Sequence, residues 1–233
     1  MKVLHMLCAG AAKGLVQALQ PEFAAAHNAT VEWDFGAVGA MREKLLAGTP
    51  CDLIILSAQA IDELVAQKRV DPASRVVLGK VATGIAVPDI DEKPDISDAD
   101  ALRRALSHAR GIYLPDPERA TAGIHFANVL RHLGILDQVR PNLRAFPNGA
   151  TAMRAMADAG EPDLIGCTQV SEILYTSGVA LVGVLPKEFA LSTTYAAAVC
   201  SDAAEPELAR AFAAMLRSPQ SSALRVAGGF AID

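Results

Sequence analysis

Apolar runs of strand length alternate with segments of helical period three times before residue 70. That alternation constrains the chain more than any other feature. Lys2 to Cys8 reads as a strand, Lys13 to His27 as a helix and Thr30 to Phe35 as an alternating strand. Met41 to Ala47 follows as a helix ended by Gly48, then Asp52 to Leu56 as a strand and Ile61 to Gln67 as a helix. The run Leu53-Ile54-Ile55-Leu56 has no polar residue on either face, the pattern of a strand covered on both sides in a parallel sheet. Strand–helix–strand units at this spacing predict a parallel α/β fold.

Farther on, Val76 to Val87 is a long β-type run interrupted by Gly79 and Gly84, and Asp89 to Asp98 reads as a polar connection. Ser97 or Asp98 is placed to cap a helix over Ala101 to His108. Gly111 to Leu114 is a short apolar strand, and Pro115 and Pro117 stop it before a helix opens at Thr121. A strand near Leu143 to Phe146, a helix over Ala150 to Ala159 and a strand over Asp163 to Cys167 come next. A short helix over Ser171 to Leu174, strands over Val179 to Val184 and Thr193 to Cys200, and helices over Pro206 to Leu216 and Ser218 to Ala227 complete the reading. Two βα lobes are expected, residues 1–82 with 194–233 and residues 83–193, with Val81 to Val87 and Thr194 to Val199 as crossing strands.

Composition enters as a filter. Of 233 residues 52% are hydrophobic, enough for a sizeable core, and the net charge of -5 is spread without blocks. No basic footprint for nucleic acid and no apolar stretch of membrane-spanning length is present, so neither partner is expected. The four cysteines, Cys8, Cys51, Cys167 and Cys200, lie in or beside apolar runs with no C-x-x-C spacing. They are expected to be reduced core residues, with no disulfide and no metal site. The amino-terminal run is short and interrupted by His5, so it reads as a first strand. On that reading the chain is cytoplasmic as the sequence stands, and periplasmic if a leader has been removed.

Chemistry is expected where strands hand over to helices, because first-turn amides lack intrahelical partners and the helix dipole favours anions there. Four turns qualify: Cys8 to Lys13, Gly36 to Ala40, Asp116 to Ala122 and Pro147 to Thr151. Gly10, Ala11, Val38, Gly39 and Ala122 offer room and amides, Ser57, Thr121, Asn148, Thr168 and Gln169 neutral hydrogen bonds, and Lys13, Arg119 and Arg42 positive charge. Arg119 is the best carboxylate clamp, since a guanidinium bonds bidentately. A site of this kind, in a cleft between the lobes, takes a small anion and needs no cofactor.

Several of these residues also resemble the type II periplasmic-binding-protein superfamily, in particular its molybdate-receptor branch. The likeness rests on Ala9-Gly10-Ala11, on Leu45-Leu46-Ala47-Gly48-Thr49-Pro50-Cys51-Asp52-Leu53-Ile54-Ile55, on Asp116-Pro117 with Ala122-Gly123-Ile124, and on Thr194-Tyr195-Ala196-Ala197. It implies two α/β lobes, an oxyanion ligand and, for an exported receptor, an ABC transporter permease as partner. Molybdate receptors use two serines and a tyrosine. This chain has Gly10 at the first serine position, Val38 or Gly39 at the second, and Thr168 near the tyrosine position. The departure shifts the expected ligand toward a polycarboxylate. The chain also resembles aconitate isomerase, which implies a cofactor-free allylic proton shift as the alternative. His125 and Glu172 are the candidate bases for that step.

Overall fold

The computed structural model describes residues 2–232. The chain divides into two compact units, Met1–Val81 with Thr193–Asp233, and Ala82–Ser192. The first half of unit one runs β1 (Lys2–Ala9), α1 (Lys13–His27), β2 (Ala29–Gly36), α2 (Val38–Leu46), β3 (Leu53–Ser57) and α3 (Ala58–Ala66). A 13-residue strand, β4 (Val76–Pro88), then carries the chain from one unit into the other. Gly79 and Gly84 do not break it; Gly79 has φ 140°, and a side chain there would meet the Ala231 carbonyl.

Unit two contains α4 (Ala99–His108), β5 (Gly111–Pro115), α5 (Thr121–His132), α6 (Leu136–Val139), β6 (Leu143–Phe146), α7 (Gly149–Ala157), β7 (Leu164–Gln169), α8 (Val170–Leu174) and β8 (Val179–Val184). The return strand β9 (Ser192–Val199) leads to α9 (Pro206–Arg217), α10 (Ser222–Ala227) and β10 (Phe230–Ala231).

In unit one β1 pairs in parallel with β2 and with β3, and β3 pairs antiparallel with β9. All four residues Leu53 to Leu56 have no exposed surface, as their uninterrupted apolarity requires. Phe23 of α1 meets Phe212 of α9 edge to face at 4.8 Å, so the two ends of the chain share one core. In unit two the strand order is β4-β7-β5-β6, with β8 on the other side of β4. Ile112, Leu114, Ile165 and Cys167 face Leu102, Leu106, Phe126 and Leu130 on one side. Tyr113 and Leu164 face Met153, Met156 and Ile173 on the other. Helices therefore cover both faces, and alternate residues of one apolar strand feed two cores.

Several sequence expectations shift in position. Helix α2 begins at Val38, so Val38 and Gly39 form its first turn rather than a loop before it. Thr168 and Gln169 close β7 instead of following it. The final helix starts at Ser222, and β10, absent from the sequence reading, pairs Phe230 with Val81 of β4.

A single carboxylate ties the discontinuous unit together. Asp52 is 2% exposed; its Oδ2 accepts the His5 amide at 2.8 Å and its Oδ1 accepts the Glu205 amide at 2.9 Å. Its own amide donates to the His5 carbonyl, and its carbonyl accepts the Cys200 amide at 2.9 Å. Replacing Asp52 by Ala leaves two amides without an acceptor and is expected to cost about 2–4 kcal/mol. Urea unfolding followed through Trp33, the one tryptophan, reports this in unit one. Asp52→Asn, which keeps one acceptor, is expected to lose about half as much.

Candidate functional site

Helix starts in this protein fall into two groups. The first satisfies its own amides. Ser57 accepts the Ala60 amide at the start of α3, and Asp98 accepts the Ala101 amide at the start of α4. Asn148 accepts the Thr151 amide at 2.9 Å and the Thr151 hydroxyl at 3.0 Å at the start of α7. The long helix α9 carries Glu207 in its first turn. Ser57 and Asn148, named as ligand donors from sequence, thus have their side-chain oxygens committed to capping.

The second group has neither cap nor acid. Ala12, Ala37 and Ala120 precede α1, α2 and α5, and none has a side-chain acceptor; no acidic residue occupies any of those first turns. The short α10, after Ser221, shares this lack but follows no strand; α1, α2 and α5 each follow a strand of a parallel pair, β1, β2 or β5. Partial positive charge from the amides and the helix dipole is therefore left uncompensated by local side chains at these places.

In unit one α1 follows directly on Gly10, Ala11 and Ala12, which form a buried 3-10 turn after β1. Lys13 has its ammonium 5.5 Å from the Phe35 ring centroid, and Trp33 meets Phe35 edge to face at 4.1 Å. Arg42 does not add a cation there, since it pairs with Glu63 of α3.

In unit two, Asp116 accepts the amides of Glu118 and Arg119 at 2.8 and 3.1 Å, folding the loop back before α5. Gly123 makes the close approach possible: a Cβ there would lie 2.4 Å from the Pro115 carbonyl oxygen and 2.3 Å from that of Asp116. Arg119 is exposed, Thr121 is half-buried and Ala122 is buried at this start. His125, one turn on, places Nε2 2.8 Å from the Phe189 carbonyl oxygen. A carbonyl only accepts, so Nε2 bears the proton and the ring anchors the 3-10 turn Lys187–Phe189 to α5.

Glu172 is 4% exposed and Thr168 has no exposed surface. The Thr168 hydroxyl donates to Glu172 at 2.5 Å, and the Ala150 amide donates at 3.3 Å, with further amides from Gly149 and Gln169. The carboxylate sits against the first turn of α7, where a Cβ on Gly149 would lie 2.1 Å from Glu172 Oε2 and 1.9 Å from Thr168 Oγ1. Thr168 and Glu172 are therefore engaged with each other inside unit two, and the amides at the start of α7 have an internal acceptor. Gln169 is buried too, at 3% exposure. The sequence signal for this arrangement was Gly149 after Asn148, readable only as a turn.

Burial pushes the Glu172 carboxyl above its ordinary 4.5, against the pull of those hydrogen bonds. A raised folded-state value favours the neutral acid, so its stabilising contribution is complete below about pH 4.5 and declines as pH rises. Glu172→Gln, which mimics the neutral form, is expected to gain in stability relative to wild type between pH 5 and pH 8, read by urea unfolding at both. Gly149→Ala is expected to lose about 2–3 kcal/mol because two fixed polar atoms occupy the space of the new methyl.

Among known proteins, the chain is 29% identical over 227 residues to an aconitate isomerase from Pseudomonas sp, covering 94% of this chain and 84% of that protein. It is 26% identical over 227 residues to the molybdate-binding protein ModA of Escherichia coli K12, covering 95% and 87%. The periplasmic molybdate-binding protein of Azotobacter vinelandii superimposes with a TM-score of 0.79 over 99% of both chains at 20% identity. The family described as bacterial extracellular solute-binding protein matches residues 4–231. Nearly the whole chain falls inside that match, and the protein belongs to this solute-binding family.

Proposed function

We propose that this protein is a receptor for a small oxyanion or polycarboxylate. The observation that carries the reading is the set of three uncapped, acid-free helix starts after β1, β2 and β5, whereas α3 and α7 are capped by their own side chains and α8, after β7, carries Glu172 in its first turn. Family membership supports the same reading, as do the molybdate-binding relatives. The residues at these places are Gly10 and Ala11 in the 3-10 turn before α1, Val38 and Gly39 in the first turn of α2, and Thr121 and Ala122 in that of α5. Small side chains leave room for a ligand broader than a tetrahedral oxyanion, and amides supply donors to any carboxylate. Lys13 and Arg119 add charge at the starts of α1 and α5. As a receptor the protein works outside the cytoplasm and delivers its ligand to the permease of an ABC transporter.

An isomerase acting on a tricarboxylate is the second reading, supported by the 29% identity to aconitate isomerase. Its two candidate bases are both engaged: His125 Nε2 with the Phe189 carbonyl, Glu172 with Thr168 and the amides of α7. A proton shift at His125 then falls to Nδ1.

A thermal-shift panel of molybdate, tungstate, sulfate, citrate and both aconitates tests the receptor reading. The cognate anion at a hundredfold excess over Kd is expected to stabilise the fold by about 2.7 kcal/mol. No shift with any member overturns the reading. Ala37→Asp, which puts a carboxylate at the start of α2, is expected to weaken the anion about tenfold or more, while Ala37→Asn retains most of the affinity. Proton NMR of trans-aconitate with the protein in deuterated water decides the second reading: deuterium incorporation or cis product supports it, and unchanged spectra with tight binding remove it.

A further inference from the structure

The last helix of the chain turns a cation inward. In α10 the one buried residue is Arg225, 8% exposed, while its neighbours Leu224 and Val226 are 41% and 57% exposed. A helix that buries its cation and shows its aliphatic side chains to water reverses the ordinary pattern, and such reversals collect at functional places. The turn before α10 sets this orientation. Ser221 has no exposed surface; its hydroxyl donates to the Leu216 carbonyl at 2.8 Å, and its own carbonyl accepts the Arg225 amide at 2.9 Å.

Arg225 reaches between two elements. Its Nη1 donates to the Leu78 carbonyl of β4 at 3.1 Å, and its Nη2 donates to the Arg217 carbonyl at the end of α9 at 3.4 Å. Both acceptors are neutral. Nε is buried without a hydrogen-bond partner, and among the described residues no Asp or Glu forms an ion pair with this guanidinium. A guanidinium keeps its proton, so burial leaves a full positive charge to be met. Arg225 also lines a cavity of about 250 Å³ whose described walls all belong to unit one. Arg217, Lys80 and Thr194 line it too, with no Asp or Glu among its described lining residues. In a chain with 26 acids to 21 bases, three cations and no acid around one cavity is a local excess of positive charge. Gly79 lets β10 close against β4 at one wall, since a Cβ there would lie 2.7 Å from the Ala231 carbonyl oxygen.

We propose that this cavity is a second binding site, for a small oxyanion of the phosphate class, with Arg225 and Arg217 as its holding pair and Thr194 as a neutral donor. Planar guanidinium forks match two oxygens of such an anion, and the anion supplies the counter-charge that the buried Arg225 lacks. The volume falls below the roughly 300–1,000 Å³ of pockets for drug-sized ligands, which restricts the occupant to a few heavy atoms. None of the lining residues belongs to the uncapped starts of α1, α2 and α5, so this site is separate from the receptor site and independent of that reading. When occupied it ties the end of α9, α10 and the start of β4 together through one anion.

Isothermal titration calorimetry of the full chain with inorganic phosphate, against sodium chloride at matched ionic strength, tests the site. A phosphate-binding event is expected in the wild type, kept in Ala37→Asp and weakened about tenfold or more in Arg217→Glu, which exchanges a holding cation for an acid. Arg225→Lys, which keeps the charge without the fork, is expected to weaken phosphate about tenfold. Arg217 is exposed, so Arg217→Glu tests the site even where a change at the buried Arg225 unfolds the chain. No phosphate binding by the wild type, equal affinity in Arg217→Glu, loss of phosphate binding in Ala37→Asp, or the same response to chloride each overturns the proposal. Phosphate binding that persists while no anion of the thermal-shift panel binds removes the receptor reading alone.

Discussion

The structure of unit one depends on closing a chain that leaves it for more than a hundred residues and returns. That closure is concentrated at Asp52. One buried carboxylate receives an amide from β1 and an amide from the residue preceding α9, while its own backbone pairs with β1 and with Cys200. Hydrophobic burial alone does not set this register, because the alanine-rich β9 is apolar in several alignments. Directional bonds to a charged acceptor do set it, at a site where water does not compete.

The helix starts differ in how their first-turn amides are met. At α3, α4 and α7 a Ser, Asp or Asn side chain consumes a first-turn amide, and at α7 Glu172 adds a second internal acceptor. At α1, α2 and α5 alanine stands in the capping position. Replacing a capping side chain by alanine costs a helix about 1 kcal/mol. Three such omissions follow strands of parallel pairs, two in unit one and one in unit two.

Much of the fold was legible in the residues. The boundaries of α1 agree at both ends, because apolar spacing and the turn after His27 agree with each other. Leu53 to Leu56 read as a doubly covered strand and has no exposed surface. Less legible were positions where a helix borrows its start from a neighbouring element. Val38 and Gly39 read as turn because two small residues resemble one, yet they open α2. Of the candidate site, the uncapped start of α5 with Arg119, Thr121 and Ala122 was legible as a helix start after a polar loop. The engagement of Glu172 was not, because the Ala150 amide that it accepts lies on another helix, 22 residues away; Ser57 and Asn148 cap amides only three residues on.

Sequence alone determined the parallel α/β class, the order of elements and the places where strands hand over to helices. These follow from local periodicity, proline and glycine, which act over a few residues. Tertiary structure decided which carboxylate is buried at α7 and which segments the Asp52 carboxylate joins. Those outcomes rest on contacts between residues far apart in the chain, Gly149 with Glu172, His125 with Phe189 and Asp52 with Glu205, whose pairing is set only when sheets and helices pack.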